Sequence, residues 1–174
     1  YPWTVPMLNG RTICLRNINI KKIFELIDKY NVTHFGGAPI VLNMITGAPE
    51  SDRKKLKNKV YVLTAGAPPP SIIFKKMKNL GFEVMHVYGL TETYGHVTQC
   101  AWNDSWNEYD EEKQNEIKAR QGVRYPNTEG VTIMNPDTMT EVPKDGKTIG
   151  EIMIRGNVVM KGYFKDKEAT EKAM

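Results

Sequence analysis

Hydrophobic and polar residues form two different patterns through the first hundred positions of the chain. In three segments the apolar residues recur every three or four positions, the spacing of an amphipathic helix: 20–30, 39–46 and 71–80. Four shorter runs are apolar and β-prone: 12–15, 32–35, 60–63 and 82–87. Short strands that alternate with amphipathic helices are typical of βαβ units. We therefore expect an α/β fold with a parallel sheet flanked by helices.

The pattern changes after Cys100. Residues 102–120 are mostly polar and charged, which predicts a loop and a helix on the surface. Beyond Thr128, short apolar runs alternate with turns rich in Gly, Pro and Asp, which predicts short strands. We expect two units: an α/β subdomain over residues 1–122, then a β-rich, barrel-like module over residues 123–174 that stops before it is complete.

Composition and charge restrict the possible functions. The chain is 40% hydrophobic and 25% charged, as expected of a globular protein and not of a disordered one. Lysine and arginine exceed the acids by 24 to 20, and the one dense basic run, residues 53–59, contains no aromatic residue. This run is therefore expected to be a solvated surface and not a nucleic-acid site. No apolar stretch is long enough to span a bilayer, and no signal peptide opens the chain.

Cysteine and histidine usage argues against a metal centre built from these residues. The two cysteines, Cys14 and Cys100, are too few for a disulfide framework, and the three histidines are scattered without ligand spacing. Both cysteines are expected to be core thiols.

The first candidate site lies where the predicted strand at residues 82–87 ends. Tyr88 and Gly89 follow the strand, and Thr91 and Glu92 come directly after them. Ligands of open α/β sheets bind beyond the carboxyl ends of the strands. A tyrosine ring offers a flat face to a purine, a threonine hydroxyl can donate to phosphate, and a glutamate can hold Mg²⁺. On these residues alone, a strand end, a glycine turn and a polar helix start are the simpler interpretation.

Two further loops have a similar form. One follows the strand at residues 60–63, and the other follows the strand at residues 32–35. Both consist mainly of small residues, which can form a slot for a planar ring against the backbone. If the three strands are parallel neighbours, the three loops converge at one edge of the sheet. The small-residue loops comprise Ala65, Gly66, Ala67 and Pro68 in one case and Phe35, Gly36, Gly37 and Ala38 in the other.

Three motifs in order resemble those of the adenylate-forming superfamily, which includes acyl-CoA synthetases, peptide-synthetase adenylation domains and beetle luciferases. Residues 88–93, Tyr-Gly-Leu-Thr-Glu-Thr, resemble its core motif. Residues 64–68 resemble its adenine-contacting loop, and residues 150–163 resemble a later motif that begins Gly-Glu and ends Gly-Tyr. Residues 118–123 look most like the acyl-activating enzymes of plants and bacteria. The resemblance implies an internal piece of the large N-terminal domain of an acyl-CoA synthetase.

The resemblance also implies residue roles. Tyr88, next to Gly89, would stack on the adenine of ATP, whose other face would lie along residues 65–68. Thr91 would bind the α-phosphate, and Glu92 would coordinate Mg²⁺. Residues 35–38 and Val87 would line the acyl pocket, with Trp3 either beside them or in the core. Coenzyme A would be the second substrate, and the location would be cytoplasmic, or peroxisomal in a plant.

Two residues depart from the family pattern. His86 stands where Asn or Gln is usual, although an imidazole could still donate to the nucleotide. Val87 occupies a position that is often glycine, and a valine there is expected to narrow the acyl tunnel. We therefore expect a short, medium, branched or compact aromatic acid as the substrate.

Other parts of such an enzyme are not recognisable in the sequence. The phosphate loop, the ribose-binding motif and the C-terminal domain with its lysine have no counterpart. Residues 145–148 imitate a Walker loop, but Glu141 replaces its leading glycine, so a turn is expected. We expect a piece cut from a longer chain that makes no acyl-CoA alone. Two alternatives stay open: an adenylation domain that loads a carrier protein, and a non-catalytic nucleotide-binding or interaction module.

Overall fold

The structure, a computed structural model that describes residues 3–174, contains six α-helices and two β-sheets. The helices are α1 (Thr4–Met7), α2 (Ile20–Tyr30), α3 (Pro39–Gly47), α4 (Ser71–Asn79), α5 (Glu111–Lys118) and α6 (Lys167–Ala173). The first sheet contains β1 (His34–Gly36), β2 (Val60–Thr64), β3 (Phe82–Leu90), β4 (Gly95–Gln99) and β5 (Val123–Arg124). The second contains β6 (Gly130–Asn135), β7 (Thr140–Glu141) and β8 (Glu151–Arg155).

The first sheet is mixed. Its strand order is β1-β2-β3-β4-β5, and β1, β2 and β3 are parallel, with a helix in each crossover. The α/β prediction is therefore confirmed. The sheet extends beyond its parallel strands, because a tight turn after β3 returns the chain antiparallel as β4, and β5 pairs antiparallel with β4. The second sheet is antiparallel, in the order β7-β6-β8.

Local signals fix the helix boundaries close to their predicted positions. The Asn19 side chain accepts a hydrogen bond from the Lys22 amide at 2.8 Å and caps α2, which ends where Asn31 turns left-handed. Pro39 occupies the first turn of α3, where its missing amide proton costs nothing. Gly81 ends the α4 segment with φ +92°, a conformation that favours glycine.

One face of the first sheet carries the hydrophobic core. Alternate residues of β2 and β3 point into it, with Val62 beside Val84 and Val60 beside Phe82. The Phe82 ring packs edge-on against the rings of Phe24 on α2 and Phe35 on β1, with centroids 5.9 Å away in each case. The helices α2, α3 and α4 supply the remaining core side chains: Ile27, Leu42, Ile45, Ile73, Phe74 and Met77.

The opposite face of the same strands is open. Tyr61 on β2 is 48% exposed and Met85 on β3 is 40% exposed, and the Tyr61 ring stacks on His34 of β1 at 5.1 Å between centroids. This side of the sheet is called the open face below.

Two predictions for the first thirty residues are wrong. Residues 12–15 form no strand, because they pair with no other strand in the described part of the chain. Cys14, which lies in this segment, is consequently exposed and is not a core thiol, whereas Cys100 is buried as expected. The division at residues 122 and 123 stays a prediction.

The basic run at residues 53–59 is a surface loop that pairs locally. Lys54 and Lys57 reach Asp28 of α2, with nitrogen–oxygen distances of 3.6 and 2.6 Å. Part of its charge is thus paired within the chain. Within residues 3–174, no helix combines the length and the apolar character needed to cross a membrane.

The two cysteines should differ in reactivity. Burial raises the pKa of the Cys100 thiol, an effect that the charges of Arg120 and Lys118 oppose, and the thiol lies 3.2 Å from the Ile117 carbonyl. We expect Cys14 to react with Ellman's reagent at least about 10-fold faster in the native chain, because an exposed thiol needs no local opening. Equal reactivity of both thiols before denaturant is added would contradict the burial of Cys100.

Candidate functional site

Three loops meet at one edge of the first sheet. Since β1, β2 and β3 are adjacent and parallel, the segments that follow them leave from the same side, as the sequence predicts. The first segment is tied to the end of β2, because the Gly37 amide donates to the Leu63 carbonyl at 3.1 Å. This edge is where a ligand can reach several backbone segments at once.

The loop after β2 begins buried and becomes open. Thr64 is fully buried, whereas the four residues that follow it, 65–68, are exposed. Gly66 has φ +97°, and no atom lies within 4 Å of the position that a β-carbon would occupy. The backbone of this loop is therefore accessible to a flat ligand, as the small residues predict.

Strand β3 does not end at Val87 as predicted but continues through Tyr88 and Gly89 to Leu90. It is prolonged because β4 pairs with it, with a register shift between Tyr88 and Gly89. A β-carbon on Gly89 would lie 2.0 Å from the Gly95 carbonyl oxygen, so only glycine lets the two strands approach this closely. Tyr88 is half-buried beside this bulge.

A single turn of 3₁₀ helix, Thr91–Thr93, presents the next side chains. Thr93 is buried and serves the backbone: its hydroxyl accepts from the Leu90 amide at 3.0 Å and lies 2.8 Å from the Gly95 carbonyl. Thr91 is exposed, and within residues 3–174 its hydroxyl has no hydrogen-bond partner. The turn thus uses one threonine to hold its shape and leaves the other free for a ligand.

Glu92 is half-buried, and the segment after β8 contacts it twice. The Tyr163 hydroxyl donates to Glu92 Oε1 at 2.9 Å, and the Met160 amide donates to the Glu92 carbonyl oxygen at 2.7 Å. Its own backbone amide and the Tyr163 hydroxyl lower the pKa of Glu92, and the carboxylate raises the pKa of Tyr163. Glu92 is therefore ionised at neutral pH.

These residues fit a magnesium ion. Among residues 3–174 no basic side chain forms an ion pair with Glu92, and no cluster of three or more His, Cys, Asp or Glu could hold a metal. Mg²⁺ typically binds one or two carboxylates together with substrate phosphates, and does not need an all-protein cage. A carboxylate without an ion-pair partner in the described chain, next in sequence to an exposed threonine, matches that mode.

His86 and Val87 are both buried, and their predicted roles stay predictions. Each is 1% exposed, and His86 Nδ1 lies 3.2 and 3.1 Å from the carbonyl oxygens of Ala119 and Arg120, to which it donates. The structure therefore ties His86 to the end of α5, and its contact with a nucleotide stays a prediction. Its Nε2 atom is buried with no partner in the described chain. Trp3 is 84% exposed and is not a core aromatic.

Comparison with known proteins identifies the family and the fold. The model of the AMP-binding enzyme family matches residues 1–164. The chain belongs to this family. The solved N-terminal domain of FACL13 from Mycobacterium tuberculosis, 24% identical, superposes with a TM-score of 0.76 over 97% of this chain and 39% of that one. At this identity the likeness shows the fold alone.

Several relatives within the AMP-binding enzyme family are acyl-activating enzymes of plants. The chain is 49% identical over 174 residues to the peroxisomal acetate/butyrate–CoA ligase of Arabidopsis thaliana, with 99% of this chain and 30% of that one covered. It is 44% identical to the 2-methylpropanoate–CoA ligase of Humulus lupulus, with 100% and 31% covered. It is 39% identical to the peroxisomal benzoate–CoA ligase of Arabidopsis thaliana, with 99% and 32% covered. The chain thus spans about 30% of the length of these relatives.

The structure brings the predicted site residues to one edge but adds a contact that the sequence does not reveal. Residues 36–38 and 65–68 lie at and beyond the ends of β1 and β2, and residues 88–92 form the end of β3 and the turn after it. Tyr163 belongs to the later family motif, yet its bond to Glu92 joins residues 71 positions apart. No local pattern predicts such a contact, because Gly-Tyr is equally compatible with a simple turn.

Proposed function

We propose that this chain is the part of an AMP-forming acyl-CoA ligase that binds the adenine, the α-phosphate and the metal. The observation that carries the proposal is that one short turn, at the edge where three loops meet, presents both a free Thr91 hydroxyl and an ionised Glu92. Membership of the AMP-binding enzyme family supports it. In this proposal ATP, Mg²⁺, coenzyme A and a small carboxylic acid are the ligands of the whole protein.

The reaction has two steps. A carboxylate oxygen attacks the α-phosphorus of ATP, which forms an acyl adenylate and releases pyrophosphate. The thiol of coenzyme A then attacks the acyl carbon, which forms a thioester and releases AMP. The first step brings an anion to a polyanion, so donors and positive charge must stabilise the charge of the transition state.

Each site residue has a role in the first step. Tyr88 provides a face for the adenine, and the open backbone of residues 65–68 provides the other wall. Thr91 donates its hydroxyl proton to an α-phosphate oxygen. Glu92 would hold Mg²⁺, which neutralises phosphate charge when bound. Residues 35–38 and Val87 would face the acid. We propose that this segment alone makes no acyl-CoA, because the remaining parts of the enzyme must supply the other phosphate contacts.

We infer a short, branched or compact aromatic acid as substrate. Relatives are named for acetate and butyrate, 2-methylpropanoate and benzoate. Val87 supports the same range, because its buried branched side chain occupies space beside the motif. The peroxisomal names of two relatives favour a peroxisomal location in a plant, with the cytoplasm expected otherwise.

A panel of carboxylic acids tests the function. The protein that contains this chain at the length of its relatives is assayed for AMP release with acetate, butyrate, 2-methylpropanoate, benzoate and palmitate, with and without coenzyme A. We expect CoA-dependent release, with kcat/KM for at least one of the first four acids about 10-fold or more above that for palmitate.

Each alternative has its own outcome when pyrophosphate exchange, carrier-protein loading and ATP binding are measured beside AMP release. Preference for palmitate overturns the substrate class. Pyrophosphate exchange without CoA-dependent AMP release, together with loading of a carrier protein, indicates the adenylation-domain alternative. ATP binding without turnover of any acid indicates a non-catalytic module. Exchange by the 174-residue chain alone overturns the statement that this segment is inactive by itself.

A further inference from the structure

The second sheet reaches the candidate metal site through one short segment. Residues 160–163, which follow β8, supply both the amide that binds the Glu92 carbonyl and the phenol that binds the Glu92 carboxylate. The backbone and the side chain of Glu92 are thus both bound by one segment that lies about 70 positions later in the chain. The backbone bond alone would be enough to hold residues 160–163 against the turn, so the second bond, to the Glu92 carboxylate, points to a further role.

Tyr163 is itself held in place. Its amide donates to Thr170 Oγ1 at 2.9 Å, and that hydroxyl donates to the Asp166 carbonyl at 2.6 Å. Gly162 precedes it with φ +147°, and a β-carbon there would lie 2.6 Å from the Thr170 methyl carbon. Asp166 also caps α6 by accepting from the Ala169 amide. The first turn of α6 therefore fixes the backbone from which the phenol reaches Glu92.

The phenol binds one carboxylate oxygen, Oε1. A hydrogen bond to one oxygen restricts rotation of the carboxylate and leaves the other oxygen in a defined direction. Partners of this kind orient metal ligands, and their loss typically reduces metal affinity or activity about 10-fold to 100-fold. The absence of a basic partner for Glu92 in the described chain leaves the charge of the carboxylate for a cation.

We propose that Tyr163 is a positioning residue that orients the Glu92 carboxylate toward the divalent cation and joins the second sheet to the metal site. This inference rests on the proposed function, because it takes Glu92 to be the magnesium ligand. In this proposal the Gly-Tyr pair that ends the motif at residues 150–163 takes part in the chemistry at residues 88–93.

The Tyr163→Phe variant tests this role in the full-length protein, because it keeps the ring and removes the hydroxyl. We expect the half-saturating Mg²⁺ concentration for pyrophosphate exchange to rise about 10-fold, with the rate at saturating Mg²⁺ within about 2-fold of the parent. The affinity of the complex with a non-hydrolysable ATP analogue for Mn²⁺, followed by electron paramagnetic resonance, should weaken by a similar factor.

Two variants serve as comparisons. Tyr109→Phe removes the same atom from a phenol that is 50% exposed and has no hydrogen bond in the described chain, and it should leave both Mg²⁺ and Mn²⁺ dependence unchanged. Thr170→Val removes the hydroxyl that holds the Tyr163 amide and should shift both in the same direction as Tyr163→Phe. This second variant tests the inference even if the first one folds poorly.

The outcomes separate this inference from the proposed function. Unchanged Mg²⁺ and Mn²⁺ dependence in a folded Tyr163→Phe variant, with weakened Mn²⁺ binding in Glu92→Gln, overturns the positioning role and leaves the proposed function intact. Unchanged Mn²⁺ binding in Glu92→Gln overturns both. In the Glu92→Gln background, the Tyr163→Phe change should add no further loss if the tyrosine acts through the carboxylate.

Discussion

Replacing Glu92 with glutamine should lower the rate of acyl-adenylate formation about 100-fold or more in the full-length protein. Glutamine has nearly the same size as glutamate, and its side-chain oxygen can still accept a hydrogen bond from the Tyr163 hydroxyl. The turn at residues 91–93 should therefore persist. The change removes the negative charge that would hold the cation. Pyrophosphate exchange at saturating ATP and acid measures the rate, and a Mg²⁺ titration shows whether added metal restores it.

The matched control for this prediction is Glu141→Gln, since Glu141 is exposed on β7 and has no ion pair within residues 3–174. It loses the same charge on the edge strand of the second sheet and should retain the parent rate. If Glu92→Gln keeps a rate within about 3-fold of the parent at limiting Mg²⁺, Glu92 is not the metal ligand, and the metal must be held elsewhere in the protein.

Replacing Gly89 with alanine should lower the free energy of unfolding of the chain by about 3 kcal/mol. The added carbon would lie 2.0 Å from the Gly95 carbonyl oxygen and 2.5 Å from the His96 α-carbon. Both are backbone atoms, so no side chain can rotate away, and β3 and β4 must separate. Urea unfolding followed by circular dichroism measures the change.

Gly47→Ala is the control for the glycine prediction. Gly47 is the last residue of α3, and no atom lies within 4 Å of the position of its added carbon. Alanine there should be neutral or should stabilise the chain by up to about 1 kcal/mol, because it restricts the unfolded state and favours the helix. A Gly89→Ala chain as stable as the Gly47→Ala chain would show that the strands are not packed as described.

The parts of the fold that local chemistry determines could be predicted from the sequence. The helix over residues 20–30 has its predicted bounds because Asn19 caps its start and Asn31 ends it. The meeting of three loops at one sheet edge also follows from sequence, since it needs only the parallel order of β1, β2 and β3. The strand predicted at residues 12–15 does not form, because β propensity does not supply a neighbouring strand.

The details of the site depend on contacts between distant residues, and these could not be predicted. Gly89 resembles the end of a strand, but its pairing with residues after the turn makes it an interior bulge. His86 resembles a nucleotide contact by position, yet the end of α5 captures its Nδ1. Tyr163 meets Glu92 only because β8 and the first turn of α6 bring it there.

The open face of the first sheet has a consequence for how a longer protein is built around this chain. Because α2, α3 and α4 pack together on the other face, that side is already covered. A further layer of secondary structure stacked on β1, β2 and β3 can therefore be added from one direction only, over Tyr61 and Met85. Such a layer would produce three layers, with the sheet in the middle, and would leave the edge where the three loops meet at its rim.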